Sequence, residues 1–254
     1  MNFQRISLLF LTLLAGCSKP SEKIVVATAA NVQYVMKEIQ KEFEKESGKQ
    51  LQIVTGSSGK LTTQIREGAP FDVFVSADTK YPNEVFNNGG SDEKPKVYAL
   101  GTLVLWSKEI PQKDLNTALL GTEKITKIAI PNPRTAPYGE AAVQVLKSEN
   151  LYKNVENKLV YGESIAQTAQ YITSGSADAG FNALSIVLSP EMKGKGHYII
   201  IDSTAYKPIQ QAAILLKHSE DSPKKESSKQ FYDFLFSQKA RAIFKKYGYK
   251  QFVP

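Results

Sequence analysis

Cysteine and histidine are scarce in this chain. The 254 residues include one cysteine, Cys17, and two histidines, His197 and His218. A single cysteine excludes a disulfide framework within the chain and a metal site built from several thiolates. It also leaves no second thiol for catalysis. The folded chain must therefore draw its stability from a packed core.

A long apolar run is missing too. The N-terminal apolar stretch is shorter than the roughly 20 residues that a membrane-spanning helix needs. With Arg5 before it and small residues before Cys17, it has the pattern of a secretory signal. Leu14-Ala15-Gly16-Cys17 resembles the lipobox of bacterial lipoproteins, which implies cleavage before Cys17 and its acylation. We predict a signal peptide at 1–16, a tether at 17–22 and an extracytoplasmic protein anchored to a bacterial membrane by lipid. The alternative is an ordinary secreted protein with a stray cysteine.

Several signatures of catalysis are absent as well. The sequence has no Gly-x-Ser-x-Gly elbow, P-loop, His-Glu-x-x-His pair or dinucleotide fingerprint. We therefore predict that the protein is not an enzyme. The formal charge of +7, which becomes +6 without Arg5, comes from lysines spread along predicted helices. Because these lysines are not massed on one face, we predict no nucleic-acid partner.

Short apolar runs alternate with helical patterns from residue 23 onward. This order predicts an α/β fold whose mainly parallel strands are joined by crossover helices. A long apolar segment at 96–106 is predicted to carry the chain between lobes. No internal sequence repeat is visible, and the 238 residues after the signal fit two lobes or one larger domain. Other strands are predicted at 23–28, 50–55, 71–76, 127–130, 179–182, 197–202 and 208–217, and helices at 32–43, 61–67, 138–149, 164–173, 227–236 and 240–247.

Small or polar residues occupy four predicted strand-to-helix turns, where α/β folds bind ligands. The turns are 28–31, 56–59, 136–139 and 163–165. Each helix start offers unpaired N–H groups and the positive end of a helix dipole. If the turns converge, they form a cage of neutral donors for an oxyanion, which can only accept hydrogen bonds when fully ionised.

Each turn also has a purely structural interpretation. Asn31 can serve only as a helix cap, and Gly56 to Gly59 can be a flexible turn. Tyr138 can be a packing aromatic residue, and Ile165 offers only its backbone. The shared position of the four turns, two in each predicted lobe, favours a common site between the lobes.

An ordered set of motifs resembles the periplasmic molybdate-binding proteins. The resemblance extends over nearly all of residues 23–250. It implies a type II periplasmic-binding-protein fold with two α/β lobes, two hinge strands and the ligand in the cleft between the lobes. Lobe one would comprise 23–102 and 206–254, and lobe two 103–205. The motifs are Ala30-Asn31, Gly56-Ser57-Ser58-Gly59, the stretch 68–78, the stretch 101–107, the stretch 132–139 and the stretch 175–181.

The resemblance also implies a function and a ligand set. The protein would capture molybdate and tungstate for an ABC importer, act as a monomer, meet the permease of that importer and need no cofactor. Metal would enter only within the oxyanion. Some members place a tyrosine hydroxyl donor after the Asp-Ala-Gly-Phe region, where this chain has Ala183, and we interpret Tyr138 as the compensating tyrosine. The predicted donors are Asn31 and Ser58 from lobe one and Tyr138 and Ile165 from lobe two, with Ala30 and Ser57 as the next candidates.

Three alternatives stay open at this point. Sulfate and phosphate are tetrahedral as well, so donor chemistry alone does not exclude them. A ferric-ion binder would need tyrosine, acidic or histidine ligands, and Asp72 and Asp78 lie near one strand end, although turn and cap roles fit them better. A lipoprotein that only presents a surface to partners would leave the four turns without a ligand.

Overall fold

A computed structural model describes residues 23–220 and 222–253. The predicted signal peptide, the tether and the lipidation site Cys17 lie outside the described residues. The strands are β1 Ile24–Ala29, β2 Leu51–Gly56, β3 Val73–Val75, β4 Lys96–Gly101, β5 Leu103–Ser107, β6 Ile128–Pro131, β7 Leu159–Gly162, β8 Ala179–Ala183, β9 His197–Ile200 and β10 Ile209–Leu215. The helices are α1 Gln33–Ser47, α2 Ser58–Arg66, α3 Lys80–Asn87, α4 Pro137–Ser148, α5 Tyr152–Val155, α6 Ile165–Thr173, α7 Leu184–Val187, α8 Lys217–Glu220, α9 Lys225–Phe234 and α10 Gln238–Lys246.

The strands form two five-stranded sheets with the same spatial order and directions, although the antiparallel strand comes last along the chain in the first sheet and first in the second. The first has the order β2-β1-β3-β10-β4 and the second β7-β6-β8-β5-β9. In each sheet three parallel strands are followed by one strand that is antiparallel to both of its neighbours. We call the first sheet with its helices lobe one and the second sheet with its helices lobe two. The two-lobed α/β fold is confirmed, and a repeat that the sequence does not show is present in the topology.

The chain crosses between the sheets twice. The first crossing is at Thr102, because the apolar segment predicted as one element forms β4 in lobe one and β5 in lobe two. The second crossing is the segment 201–208 between β9 and β10. The lobe bounds predicted from the resemblance, 102/103 and 205/206, fall at these crossings. The division of the chain into domains at these bounds stays a prediction.

Amphipathic helices cover both faces of the sheet of lobe one. Val35, Met36, Ile39 and Phe43 recur on one face of α1 and are buried in a cluster that also includes Phe231 and Phe244. Gly48 ends α1 in the left-handed conformation at φ 67°, which glycine adopts without a Cβ penalty. The opposite face of the sheet buries a second cluster around Leu61 and Phe74. Lobe two has one large cluster that contains Trp106 and Phe181.

Some sequence predictions differ from the structure. The strand predicted at 208–217 is shorter in the structure, because β10 ends at Leu215 and α8, which contains His218, begins at Lys217. The sequence pattern did not predict α3, which contains Pro82 in its first turn, where the missing proline N–H has no intrahelical partner to lose. It also missed β7, whose four residues are too short to show a period. Within 23–220 and 222–253, no helix is long and apolar enough to cross a membrane.

Candidate functional site

The four predicted turns meet at one small cavity between the lobes. The space between its lining atoms is about 210 Å³ when the part that is open to solvent is counted. All six predicted donor positions line it, and among the described residues no lysine, arginine, histidine or carboxylate does. A larger hollow of about 950 Å³ lies beside α10, but only residues of lobe one line it and no predicted turn reaches it. The cavity is lined by Ala29, Ala30, Asn31, Ser57, Ser58, Ala77, Ala136, Pro137, Tyr138 and Ile165.

Lobe one contributes short polar side chains to the cavity. Asn31 lies in the 3₁₀ turn Ala30–Val32, directly after β1. Ser58 is the first residue of α2, and the preceding Ser57 makes no side-chain cap to that helix. The Oγ of Ser58 accepts a hydrogen bond from the backbone N–H of Ala77 at 3.0 Å, so its own proton is free to donate. Both Asn31 and Ser58 are almost fully buried.

Lobe two contributes backbone groups. Tyr138 is the second residue of α4, after Pro137 at the first position, where proline is favoured. Ile165 is the first residue of α6, whose cap Ser164 accepts from the N–H of Gln167 at 3.3 Å. In the described chain no hydrogen bond occupies the amides of Ser58, Tyr138 or Ile165. These N–H groups are therefore available to an acceptor in the cavity.

The side chain of Tyr138 extends past the cavity toward the hinge. Its hydroxyl contacts Nε2 of Gln211 in β10 at 3.0 Å. The same oxygen would meet a Cβ built on Gly101 at 2.2 Å, so glycine at 101 makes room for the tyrosine. Tyr138 thus joins lobe two to lobe one through its hydroxyl, and its backbone N–H fits the cavity better than its hydroxyl. A donor role for that hydroxyl stays a prediction.

A buried polar network beneath the cavity was not predicted from the sequence. Asn31 Nδ2 lies 2.7 Å from Oε1 of Gln211 and 2.9 Å from the hydroxyl of Tyr249. Ser185 of lobe two donates to the backbone carbonyl of Asn31 at 2.7 Å. Gln211 and Tyr249 stand 180 and 218 residues from Asn31 in no recognisable motif, so no sequence signal pointed to them.

The tyrosines of this network keep their protons. Burial is the largest cause that raises the pKa of Tyr98, Tyr138 and Tyr249 above the ordinary value. Hydrogen bonds to Tyr138 and Tyr249 oppose that rise without cancelling it. These three hydroxyls are consequently uncharged at neutral pH and can still donate.

Direct contacts hold the two lobes together beside the cavity. The N–H of Gly59 donates to the carbonyl of Thr135 at 2.9 Å, and the hydroxyl of Tyr81 donates to the carbonyl of Arg134 at 2.9 Å. A Cβ on Gly59 would lie 2.8 Å from the Tyr81 hydroxyl and 3.0 Å from Cα of Thr135. Glycine at 59 therefore permits this close approach. The ion pair Lys60–Glu163 also crosses the cleft but is exposed and contributes little.

The two aspartates considered as metal ligands have structural partners. Asp72 is fully buried, and its Oδ2 accepts from the N–H of Val25 at 2.7 Å and pairs with Lys224 Nζ at 2.7 Å. Asp78 accepts from the N–H of Tyr81 at 3.2 Å, as a cap residue does. Among the described residues no group of three or more histidine, cysteine or acidic side chains could hold a metal ion.

Comparison with known proteins gives close relatives. A family model described as bacterial extracellular solute-binding protein matches residues 24–250. The chain is 38% identical over 237 residues to the molybdate-binding protein ModA of Azotobacter vinelandii, covering 93% of each chain. It is 38% identical over 245 residues to ModA of Rhodobacter capsulatus, covering 94% of this chain and 93% of that one. The solved periplasmic molybdate-binding protein of Azotobacter vinelandii matches with a TM-score of 0.84 and 34% identity, over 91% of this chain and 100% of the other. This chain belongs to the family of bacterial extracellular solute-binding proteins.

Proposed function

We propose that this protein captures molybdate and tungstate outside the cytoplasm and delivers them to an ABC importer. One observation carries the proposal: four helix starts from two lobes converge on a cavity that no charged side chain lines. The names of the relatives, which are similar over almost the whole chain, support the choice of metallate.

The donor chemistry of the cavity suits a tetrahedral dianion. Such an anion accepts hydrogen bonds and offers none, and the cavity provides N–H groups and the Ser58 hydroxyl. A carboxylate there would repel the anion, and none lines the cavity. Neutral dipoles at helix starts stabilise the charge without a fixed counter-ion, so the lobes can still open and release it. Asn31, Ser58, Tyr138 and Ile165 would bind the anion, with Ala30 and Ser57 beside them.

The remaining parts of the proposal follow from this role. Closure of the lobes around the anion would present a surface to the permease. A lipid on Cys17, outside the described residues, would keep the protein at the membrane. The protein would act as a monomer without cofactor, catalysis or nucleic-acid partner.

Isothermal titration of the chain from Ser18 onward tests the proposal. The ligands are molybdate, tungstate, sulfate, phosphate and ferric citrate, and thermal unfolding is followed in parallel. We expect tight binding of both metallates and weak binding of the other three. A ligand present at about a thousandfold its dissociation constant should add roughly 4 kcal/mol to the free energy of unfolding. No response to either metallate would refute the proposal, and tight binding of sulfate or phosphate would replace the substrate while keeping the site.

A further inference from the structure

One end of the Asn31 amide has no partner within the protein. Nδ2 contacts Gln211 and Tyr249, whereas Oδ1 is buried without a hydrogen bond. Asn31 is 2% exposed and lines the cavity. An unpaired buried polar atom is costly, so its presence beside a proposed binding cavity calls for a ligand-based explanation.

The amide of Asn31 has two orientations with the same shape. A half-turn about its last side-chain bond exchanges oxygen and nitrogen without moving any other atom. In one orientation Asn31 offers an oxygen to the cavity, and in the other it offers two N–H groups. Because an oxyanion only accepts hydrogen bonds, it can bind only the second orientation.

The orientation of Asn31 depends on the amide of Gln211. Tyr98 lies 2.9 Å from Oε1 of Gln211 and 3.0 Å from the carbonyl of Ser76, but its hydroxyl has one proton for these two oxygens. If the side-chain amide of Gln211 rotates by half a turn, its Nε2 donates to Oδ1 of Asn31 and to the hydroxyl oxygen of Tyr98. The Tyr98 hydroxyl then donates its single proton to the carbonyl of Ser76. Tyr138 then donates to Oε1 of Gln211, across the contact of 3.0 Å. All polar groups of Gln211 keep partners in this arrangement.

Tyr249 and Ser185 accommodate the same change. The Tyr249 hydroxyl can turn its proton to Oδ1 of Asn31 across the existing 2.9 Å contact. Ser185 continues to donate to the backbone carbonyl of Asn31 at 2.7 Å. Gln211 is fully buried, so water does not compete for its amide. The orientations of the Asn31 and Gln211 side-chain amides are therefore set by hydrogen bonds within the network.

We propose that Gln211 is a positioning residue for the oxyanion site. By donating to Oδ1 of Asn31, its amide turns the Asn31 N–H groups toward the anion, although Gln211 itself lines no part of the cavity. This inference rests on the proposed function. Gln211 also contacts Tyr138 of lobe two, so the donor orientation at Asn31 depends on closure of the lobes.

A double-mutant cycle with sodium molybdate as the probe tests this role. Gln211→Met should weaken binding about tenfold or more, the value of one hydrogen bond to a charged group. In an Asn31→Ala background the same substitution should change affinity less than about threefold, because Gln211 acts through Asn31. Gln210→Met, the neighbouring glutamine on the other face of β10, is the matched control and should bind as wild type does. Additive effects of the two substitutions would overturn the inference.

A spectroscopic measurement reads the orientation directly in the wild-type protein. With molybdate bound, a scalar coupling through the hydrogen bond should link ¹⁵Nε2 of Gln211 to ¹³Cγ of Asn31. A coupling from ¹⁵Nδ2 of Asn31 to ¹³Cδ of Gln211 would show the opposite orientation and overturn the inference, while the proposed function would stand. Failure of the wild-type protein to bind molybdate would contradict the proposed function itself, and with it this inference.

Discussion

The two lobes share a strand order yet supply the candidate site by different means. The helix starts that reach the cavity follow the first and second of the three neighbouring parallel strands of each lobe, β1 and β2 in one and β6 and β7 in the other. Lobe one places short polar side chains there, and lobe two places the amides of Tyr138 and Ile165, whose side chains are buried in the core. The backbone geometry is thus repeated, while the side chains are free to differ.

A second pair of matching positions behaves in the same way. An aspartate precedes the third parallel strand of each lobe: Asp72 before β3 and Asp178 before β8. Each accepts from backbone N–H groups in or next to the first of the three neighbouring parallel strands, Val25 of β1 for Asp72 and Lys127 before β6 for Asp178. Only Asp72 is fully buried and has a cation, Lys224, as partner. We therefore expect equivalent contacts to carry different energies in the two lobes.

The largest expected effect comes from charging the lobe-one donor. Asn31→Asp places a carboxylate beside the anion, and because the site excludes water the repulsion is poorly screened. Molybdate affinity should fall at least about a thousandfold in isothermal titration. Asn154→Asp, an exposed asparagine in lobe two, is the control for net charge. Affinity within about threefold of wild type would show that Asn31 does not lie in the binding site.

Substitution of the two aspartates should lower the free energy of unfolding by different amounts. Asp72→Asn removes the partner of a poorly exposed ammonium group and should cost about 3 kcal/mol of unfolding free energy. Asp178→Asn should cost only about 1 kcal/mol, since that carboxylate is partly exposed. Urea denaturation measures both, and adding Lys224→Met to Asp72→Asn should recover part of the loss. Equal costs would show that the two contacts are energetically equivalent.

Backbone donation by lobe two can be tested at Ile165. Ile165→Pro removes the N–H at the first helical position, where proline is tolerated, and Ser164 before it is extended at φ −148° and ψ 167°. Ile165→Ala keeps the N–H and removes more of the side chain than proline does, so a weaker proline variant cannot be explained by lost side-chain contacts. Molybdate should bind the proline variant about tenfold more weakly than the alanine variant. Equal affinities would mean that this amide is not a donor to the anion.

The smallest expected effect concerns a carboxylate between the lobes. Asp78 of lobe one and Glu140 of lobe two line one hollow together with Lys207. Burial is the main cause that raises the pKa of Asp78 to about 6, and the charge of Glu140 adds to it, while hydrogen bonds from Tyr81 and Ser76 and the charge of Lys80 oppose it. Because the folded pKa is raised, Asp78 stabilises the fold below about pH 4, and this contribution is lost as pH rises through about 6.

Denaturation at several pH values tests the direction of this pH dependence of stability. Between about pH 4 and 7 the wild-type protein should lose about 1 kcal/mol of unfolding free energy relative to Asp78→Asn, after allowance for solvent screening. Asp92→Asn, an exposed aspartate with an exposed ion pair, is the control. A wild-type curve that rises relative to Asp78→Asn over this range would contradict the raised pKa.

Local patterns explain why so much of the fold could be predicted. The alternation of apolar strands with amphipathic α1, α2, α4 and α6 is visible in short windows, and so are the turns that contain Asn31 and Ser58. Contacts between distant residues are not visible there. Nothing in the sequence around Gln211 distinguishes it from any other glutamine in a strand. The split of 96–106 at Thr102 depends on which sheet each half joins. The Tyr138 hydroxyl likewise could not be assigned, because its partner is set by the packing of the lobes.

The two crossings of the chain also set the order in which the protein can fold. All strands of lobe two lie in one continuous stretch, from β5 to β9, whereas β10 is inserted between β3 and β4 at the heart of the other sheet. A growing chain can therefore complete lobe two while lobe one still lacks an inner strand. The sheet of lobe one is incomplete until β10, which begins at Ile209, takes its place. The pairings of β10 with β3 and β4 join residues more than 100 positions apart, and such long-range pairing slows folding. Until β10 is in place, the edges of β3 and β4 are unpaired and exposed to misassociation.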